Sequence, residues 1–225
     1  RKMFTGLVET IGRIERKTAT GAGVRLKIDI GPASVDARAG DSIAVNGVCL
    51  TISTLAGTVA DFDAVRETIE KTTLRGATAG TRVNIERAIA AGGRFGGHFV
   101  QGHIDAVAEL IDRTNDALNV RLRFRAEPDV LRQIVPKGSI AINGVSLTIA
   151  TATATDFSVA LIPETLQRTT LNDLAPGARV NIELDILGKY ARAAVERILL
   201  RAADAGSPAG PNADRDWLRR LGWDA

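Results

Sequence analysis

One pattern is written twice along this chain, and that duplication limits its possible folds more than any other feature. SIAVNGVCLTI at 42–52 returns as SIAINGVSLTI at 139–149. An offset of 97 residues carries Ser42 onto Ser139 and Thr51 onto Thr148. The offset holds for Glu67 and Thr68 against Glu164 and Thr165, and for Arg82 through Glu86 against Arg179 through Glu183. Roughly half of the positions across this stretch are identical, with no net insertion or deletion. Near the start of each copy the register slips by one, so Gly6-Leu7-Val8 aligns with Gly102-His103-Ile104. Solenoid repeats run about 20 to 50 residues. A period of 97 fits two whole domains instead.

The boundary falls in Ala88–Gly97, where Gly92, Gly93, Gly96 and Gly97 crowd together. A GGRFGG run can cradle a phosphate, but no Lys-Ser/Thr in a strand-then-helix context follows, so it reads as a linker. Each copy is mostly β in pattern. VRLKIDI alternates apolar and polar residues at Val24, Leu26, Ile28 and Ile30, as VRLRF does at Val120, Leu122 and Phe124. One short helix per copy is expected. Pro128 suits a first helical position in EPDVLRQIV and Pro136 ends it, with GPASVDARAG as the weaker counterpart. Short, evenly spaced strands with one small helix predict a closed antiparallel barrel, which hides its own edges.

After the second copy the period changes. Apolar residues recur at Tyr190/Ala191, Ala194/Val195, Ile198/Leu199 and Ala202, a helical stripe with Gly206 as its stop. Such a stripe must cover its own barrel or a neighbouring subunit, and a subunit is the favoured reading. The expected organisation is a barrel at 1–97, a second at 98–186, a helix at 187–206 and a tail at 207–225. DWLRRLGWDA in the tail suits one docked helical turn through Trp217 and Leu221.

Composition narrows the function classes. Aromatics are only 4%, the formal charge is +3, and no Lys/Arg block occurs, which argues against nucleic acid as a partner. No apolar run approaches the roughly 18 residues of a membrane span. No signal segment opens the chain, Met3 looks like a natural start, and the expected compartment is the cytoplasm. Cys49 is the only cysteine, so no intrachain disulfide forms and a metal site is not expected.

Two matched pockets suit a reaction that takes two copies of one substrate, and differences between the copies can assign roles. Cys49 in the first copy stands where the second has Ser146. Cys49 and Thr51, like Ser146 and Thr148, share a strand face. The ordinary expectation for such a pair is interior packing, and Cys49 has no adjacent Lys, Arg or His in sequence to activate it. His98 and His103 are the only histidines. For His98 the default is a bond to backbone near a turn. His103 occupies the position of Leu7, so one copy has a titratable group that the other lacks, which suits acid/base work. Glu67 and Glu164 are general bases or acceptors at a turn, and spacing does not choose between these. Asp185 follows Glu183 on the same face of a straight strand, and its counterpart is Ala88.

Together MFTGLVE, NGVCLT, GGHFVQGHID, INGVSLT, LIPETLQRTTL and ARVNIELD resemble the riboflavin synthase family, over residues 3 to about 200. The resemblance implies a mainly β chain of two similar six-stranded antiparallel Greek-key-like barrels plus a C-terminal α-helix. It implies a homotrimer assembled through those helices, with sites between the N-terminal barrel of one subunit and the C-terminal barrel of the next. Each barrel would bind one 6,7-dimethyl-8-ribityllumazine. A four-carbon unit would pass between them, giving riboflavin and 5-amino-6-(ribitylamino)uracil, with no metal or organic cofactor, no nucleic acid and no membrane.

Carried over by motif, the first pocket comprises Phe4, Thr5, Gly6, Leu7, Val8, Cys49, Leu50 and Thr51. Asp63, Ala64, Val65, Arg66, Glu67 and Thr68 join it, with Gly102, His103 and Ile104. The second comprises Lys137, Ser146, Leu147, Thr148, Ile162, Pro163, Glu164, Thr165, Leu166 and Gln167, with Asp185 nearby. Ser42 is a further binding candidate. The implied catalytic residues are Cys49, His103, Ser146 and Asp185. The alternative is a non-catalytic lumazine- or flavin-binding protein of the same fold. A carrier needs one good pocket, whereas both copies keep their Thr, Glu-Thr and Asn-Gly positions, which favours the enzyme. A flavin-dependent reductase would need a dinucleotide fingerprint, and none occurs.

Overall fold

The computed structural model describes residues 3–115 and 119–204, the last five as backbone only. The expected stop at Gly206 and the tail at 207–225 lie outside the described residues. Alternation drives the architecture. In β2 (Gly23–Asp29) Leu26 and Ile28 point inward and are fully buried, while Arg25 and Lys27 face solvent. The first barrel adds β1 (Thr10–Thr20), β3 (Ser42–Val45), β4 (Val48–Ala56), β5 (Val59–Val65) and β6 (Arg82–Arg87). Its order is β1-β2-β5-β4-β3-β6, and β6 pairs back onto β1 to close the cylinder. The second repeats that order with β7 (Ala106–Asn115), β8 (Val120–Arg125), β9 (Ser139–Ile142), β10 (Val145–Ala152), β11 (Asp156–Leu161) and β12 (Arg179–Leu184). Each barrel has its own apolar core, with Phe62 filling one and stacked Phe124 and Phe157 the other. Both belong to one compact unit that ends at Ile186.

The helical expectation needs correction in number. The segment after Glu127 forms α2 (Pro128–Leu131), with Pro128 in its first turn, and the weaker copy forms a 3-10 turn at Gly31–Ser34. Each copy has a second helix at the end of its fifth strand, α1 (Arg66–Glu70) and α3 (Pro163–Arg168). At five and six residues these are too short to show a 3.6-residue period. The C-terminal stripe forms α4 (Ile186–Asp204), on which Leu187, Tyr190, Val195, Ile198 and Leu199 are exposed.

The barrels meet through their Asn-Gly turns. Asn46 and Gly47 both have positive φ, as the two-residue hairpin joining β3 to β4 requires, and Asn143 and Gly144 repeat this. The turns pack so closely that a Cβ on Gly47 would lie 2.7 Å from the Gly144 nitrogen, so only glycine fits. Buried asparagines tie the contact crosswise. Asn84 Nδ2 donates to the Asn143 carbonyl and Asn181 Nδ2 to the Asn46 carbonyl, both at 2.9 Å. Every bond has its mirror in the other copy. This is an internal two-fold junction in which the asparagine amides are satisfied.

Candidate active site

Ahead of each barrel runs a lead-in segment that does not stay with its own barrel. The two segments first pair with each other: Phe4 N–H donates to the Val100 carbonyl at 2.8 Å, and Val100 N–H returns a bond to Phe4. Phe4 and Val100 are fully buried there with Ala44 and Ala141. The segments then cross. Ser146 N–H donates to the Gly6 carbonyl at 2.8 Å, and Cys49 N–H to the Gly102 carbonyl at 3.0 Å. Val8 packs on the second barrel's core and Ile104 on the first's. The expected grouping of Phe4–Val8 with Cys49 is therefore corrected: Gly6 lies against Ser146, and Gly102 against Cys49. Positive φ at both glycines and the absent Cβ permit this approach, since a Cβ on Gly102 would lie 2.4 Å from that of Cys49.

A buried carboxylate fixes each crossing. On β6, Glu86 accepts from Thr5 N–H at 2.7 Å, Thr5 Oγ1 at 2.8 Å and Gly6 N–H at 3.0 Å. On β12, Glu183 accepts from the N–H groups of Gln101 at 2.6 Å, Gly102 at 2.9 Å and His103 at 3.2 Å. Burial raises the Glu86 carboxyl above its usual range, and the Thr5 and Gly6 donors pull it back.

Strand alternation settles where the NGVxLT residues point. Val48, Leu50 and Ile52 are buried in the barrel, so Cys49 (half-buried) and Thr51 (exposed) face outward. Ser146 and Thr148 do the same on β10. The interior-packing expectation fails for both pairs. Ser42 is buried on β3 opposite Thr51. The side chains of Phe4, Leu50, Ala64 and Leu147 are buried. Asp63, Val65 and Arg66 are exposed at the end of β5 and the start of α1, with Thr68 half-buried behind them. Ile162–Gln167 hold the matching place on the second barrel. Lys137, exposed at a positive φ, donates its N–H to Ile149 on β10. Glu67 and Glu164 form exposed pairs with Lys71 and Arg168 one helical turn on. Lys71 holds the Glu67 carboxyl below its usual range, the opposite of what a general base needs.

His98 is where the sequence reading fell short. Its Nδ1 lies 2.7 Å from Ser146 Oγ, and the residue is buried. Nε2 is buried with no hydrogen-bond partner among the described residues. Burial lowers the pKa of the imidazole, opposed by the field of Asp185 just beyond β12. His98 thus lies within hydrogen-bond reach of the Ser146 hydroxyl, the contact through which a base can polarise a hydroxyl. The straight-strand expectation for Glu183 and Asp185 does not hold, because β12 ends at Leu184. His103 is exposed beside Gly102, on the Cys49 side. Among the described residues, no group of three or more His, Cys, Asp or Glu side chains is gathered as for a metal. A cavity of about 880 Å³ lined by Thr73, Arg82, Thr170 and Arg179 contains none of these site residues.

The pH dependence of stability follows from His98. A base with a lowered folded-state pKa binds its proton less readily when folded. Its contribution is complete above the unfolded value of 6.5 and is lost as pH falls toward the folded value. Denaturant midpoints are expected to drop between about pH 7.5 and 5.5, and His98→Gln to flatten that slope. An unchanged slope in the variant would show that His98 is not the group responsible.

A profile described as the lumazine binding domain matches twice, over residues 5–88 and 101–185. Riboflavin synthase of Bacillus subtilis (strain 168) is 42% identical over 188 residues, covering 84% of this chain and 87% of that protein. The chain belongs to the riboflavin synthase family. Riboflavin synthase of Schizosaccharomyces pombe (strain 972 / ATCC 24843) is 40% identical over 203 residues, 86% of this chain and 94% of its own. Among solved structures, LumP complexed with riboflavin superposes with a TM-score of 0.74 at 26% identity, covering 81% of this chain and 99% of LumP. LumP complexed with 6,7-dimethyl-8-(1'-D-ribityl) lumazine gives 0.71 at the same identity and coverage. In this riboflavin synthase family chain each profile match spans one closed barrel, and the lead-ins at Thr5 and Gln101 begin at the matched edges.

Proposed function

We propose that this chain catalyses dismutation of two 6,7-dimethyl-8-ribityllumazine molecules to riboflavin and 5-amino-6-(ribitylamino)uracil, one lumazine bound at each barrel. The observation that carries this reading is the pairing of two crossed pockets that differ at residues suited to chemistry, Cys49 against Ser146 and His103 against Leu7. Cys49 faces Gly102, the residue before His103, in one, and Ser146 faces Gly6 and His98 in the other. The barrel units are 1–97 and 98–186, each completed by the other's lead-in. Similarity to LumP, whose complexes hold lumazine and riboflavin on this fold, supports the ligand class.

The lumazine ring is electron-poor, so its C7 methyl group can lose a proton to give a delocalised anion, and C7 can accept a nucleophile. His103 moves the methyl proton. Ser146, polarised by His98, or Cys49 stabilises or delivers the nucleophile at C7. Backbone groups at Ile162–Thr165 hold the ring, and outward hydroxyls such as Thr51 and Thr148 meet the ribityl chain. Holding two rings face to face supplies roughly 7 to 11 kcal/mol in favourable cases. The outward pockets and the exposed apolar side chains of α4 support a homotrimer, in which pockets of neighbouring copies meet. A single cysteine fits a reducing cytoplasm.

Purified protein given only the lumazine is expected to form one fluorescent riboflavin for every two lumazines consumed. A stoichiometric complex without turnover would mean a carrier and sink the enzyme reading.

A further inference from the structure

We propose that Glu86 and Glu183 are positioning residues that act crosswise: the carboxylate on the last strand of each barrel shapes the pocket of the other. Glu183 belongs to the second barrel, yet it gathers the three consecutive N–H groups of Gln101, Gly102 and His103. Those bonds fix the direction of the Gly102 carbonyl, which accepts the Cys49 N–H of the first barrel. They also set the backbone from which the exposed His103 ring projects. Glu86, in the first barrel, does the same for Thr5 and Gly6, and Gly6 accepts the Ser146 N–H of the second. Both carboxylates are buried, at 5% and 2% exposure, and spend their oxygens on the segment each holds, so each acts through that segment. A carboxylate has four lone-pair directions and no proton to donate, so it can satisfy three convergent N–H groups. An amide of the same shape cannot, because one end carries hydrogens that oppose them.

The inference rests on the reading of Cys49, His103 and Ser146 as pocket residues, but its test reads geometry as well as turnover. Cys49 is the only cysteine, so its alkylation by iodoacetamide reports on the first pocket alone. In the full chain, Glu183→Gln is expected to speed Cys49 alkylation about tenfold, the equilibrium weight of one hydrogen bond to a charged group. Glu86→Gln, the like change at the matching buried position of the other barrel, leaves that rate nearly unchanged. Both variants lower kcat more than they raise KM, because they misplace groups without removing a binding contact. Should Glu183→Gln fail to fold, Glu183→Asp and Glu86→Asp keep the charge, withdraw it by one methylene, and give the same contrast at smaller size. Equal alkylation rates in the two folded variants, or no change in those of Glu183, would overturn the crosswise role. An alkylation contrast with turnover intact in His103→Gln would keep the clamp and discard the catalytic reading.

Discussion

Replacing His103 with glutamine is expected to slow single-turnover conversion of lumazine by about 10²- to 10⁴-fold, the usual range for a positioned acid/base group. The position is singular in the duplication. Its counterpart is Leu7, which carries no exchangeable proton, so only one pocket has this group. The His103 backbone is pinned by Glu183 while its ring stays exposed beside the Cys49 strand. Glutamine keeps a hydrogen-bonding side chain of comparable reach and loses the titrating proton. Folding should be unaffected, because the ring makes no buried contact. Stopped-flow absorbance with enzyme in excess isolates the chemical step, and Cys49→Ser measured in parallel separates proton movement from attack at C7. Slowing by less than a few-fold would remove His103 from the mechanism.

Much of the fold was legible because it is written in local periods. Alternation in VRLKIDI and VRLRF gave strands, and the repeat at offset 97 gave two domains with one topology. The same logic misplaced Cys49 and Thr51. Alternation says that two residues share a face, but not which face looks inward, and the bulky Val48, Leu50 and Ile52 take the interior. The helices α1 and α3 were invisible because neither completes two turns.

The crossing of the lead-ins was the hardest feature to read, since Gly6 against Ser146 spans most of the chain and leaves no periodic trace. One signal was present. The register slip between Gly6 and Gly102 marks the stretch where the copies stop being barrel and become connection. His98 reads in sequence as a turn histidine because its partner, Ser146, lies 48 residues away. In sequence Glu86 and Glu183 stand out as the matched ends of a repeated RVNIE, and Glu183 also as the neighbour of Asp185. Identical glutamates at the buried end of both RVNIE strands are costly unless bonded, and that cost was the missed signal.

Phe4→Ala is expected to cost about 3 to 5 kcal/mol of stability, the usual range for removing a fully buried aromatic side chain. Phe4 is wholly inaccessible, wedged with Val100, Ala44 and Ala141 on the internal two-fold axis. Its neighbours there are mostly small or held by strand pairing, so they cannot close over the gap, and a poorly collapsing site lies at the costly end. The damage should differ in kind from that of the glutamate variants. Phe4 and Val100 exchange the backbone bonds that keep the two lead-ins antiparallel before they part. Loosening that pair frees Gly6 from Ser146 and Gly102 from Cys49 together, so Cys49 alkylation and lumazine turnover should both change. Urea unfolding measures the first effect, and Phe4→Leu, which refills part of the volume, should recover much of it. A loss below about 1 kcal/mol would mean that the axis cluster is not the keystone of the junction. The crossed asparagines at the Asn-Gly turns would then carry it alone.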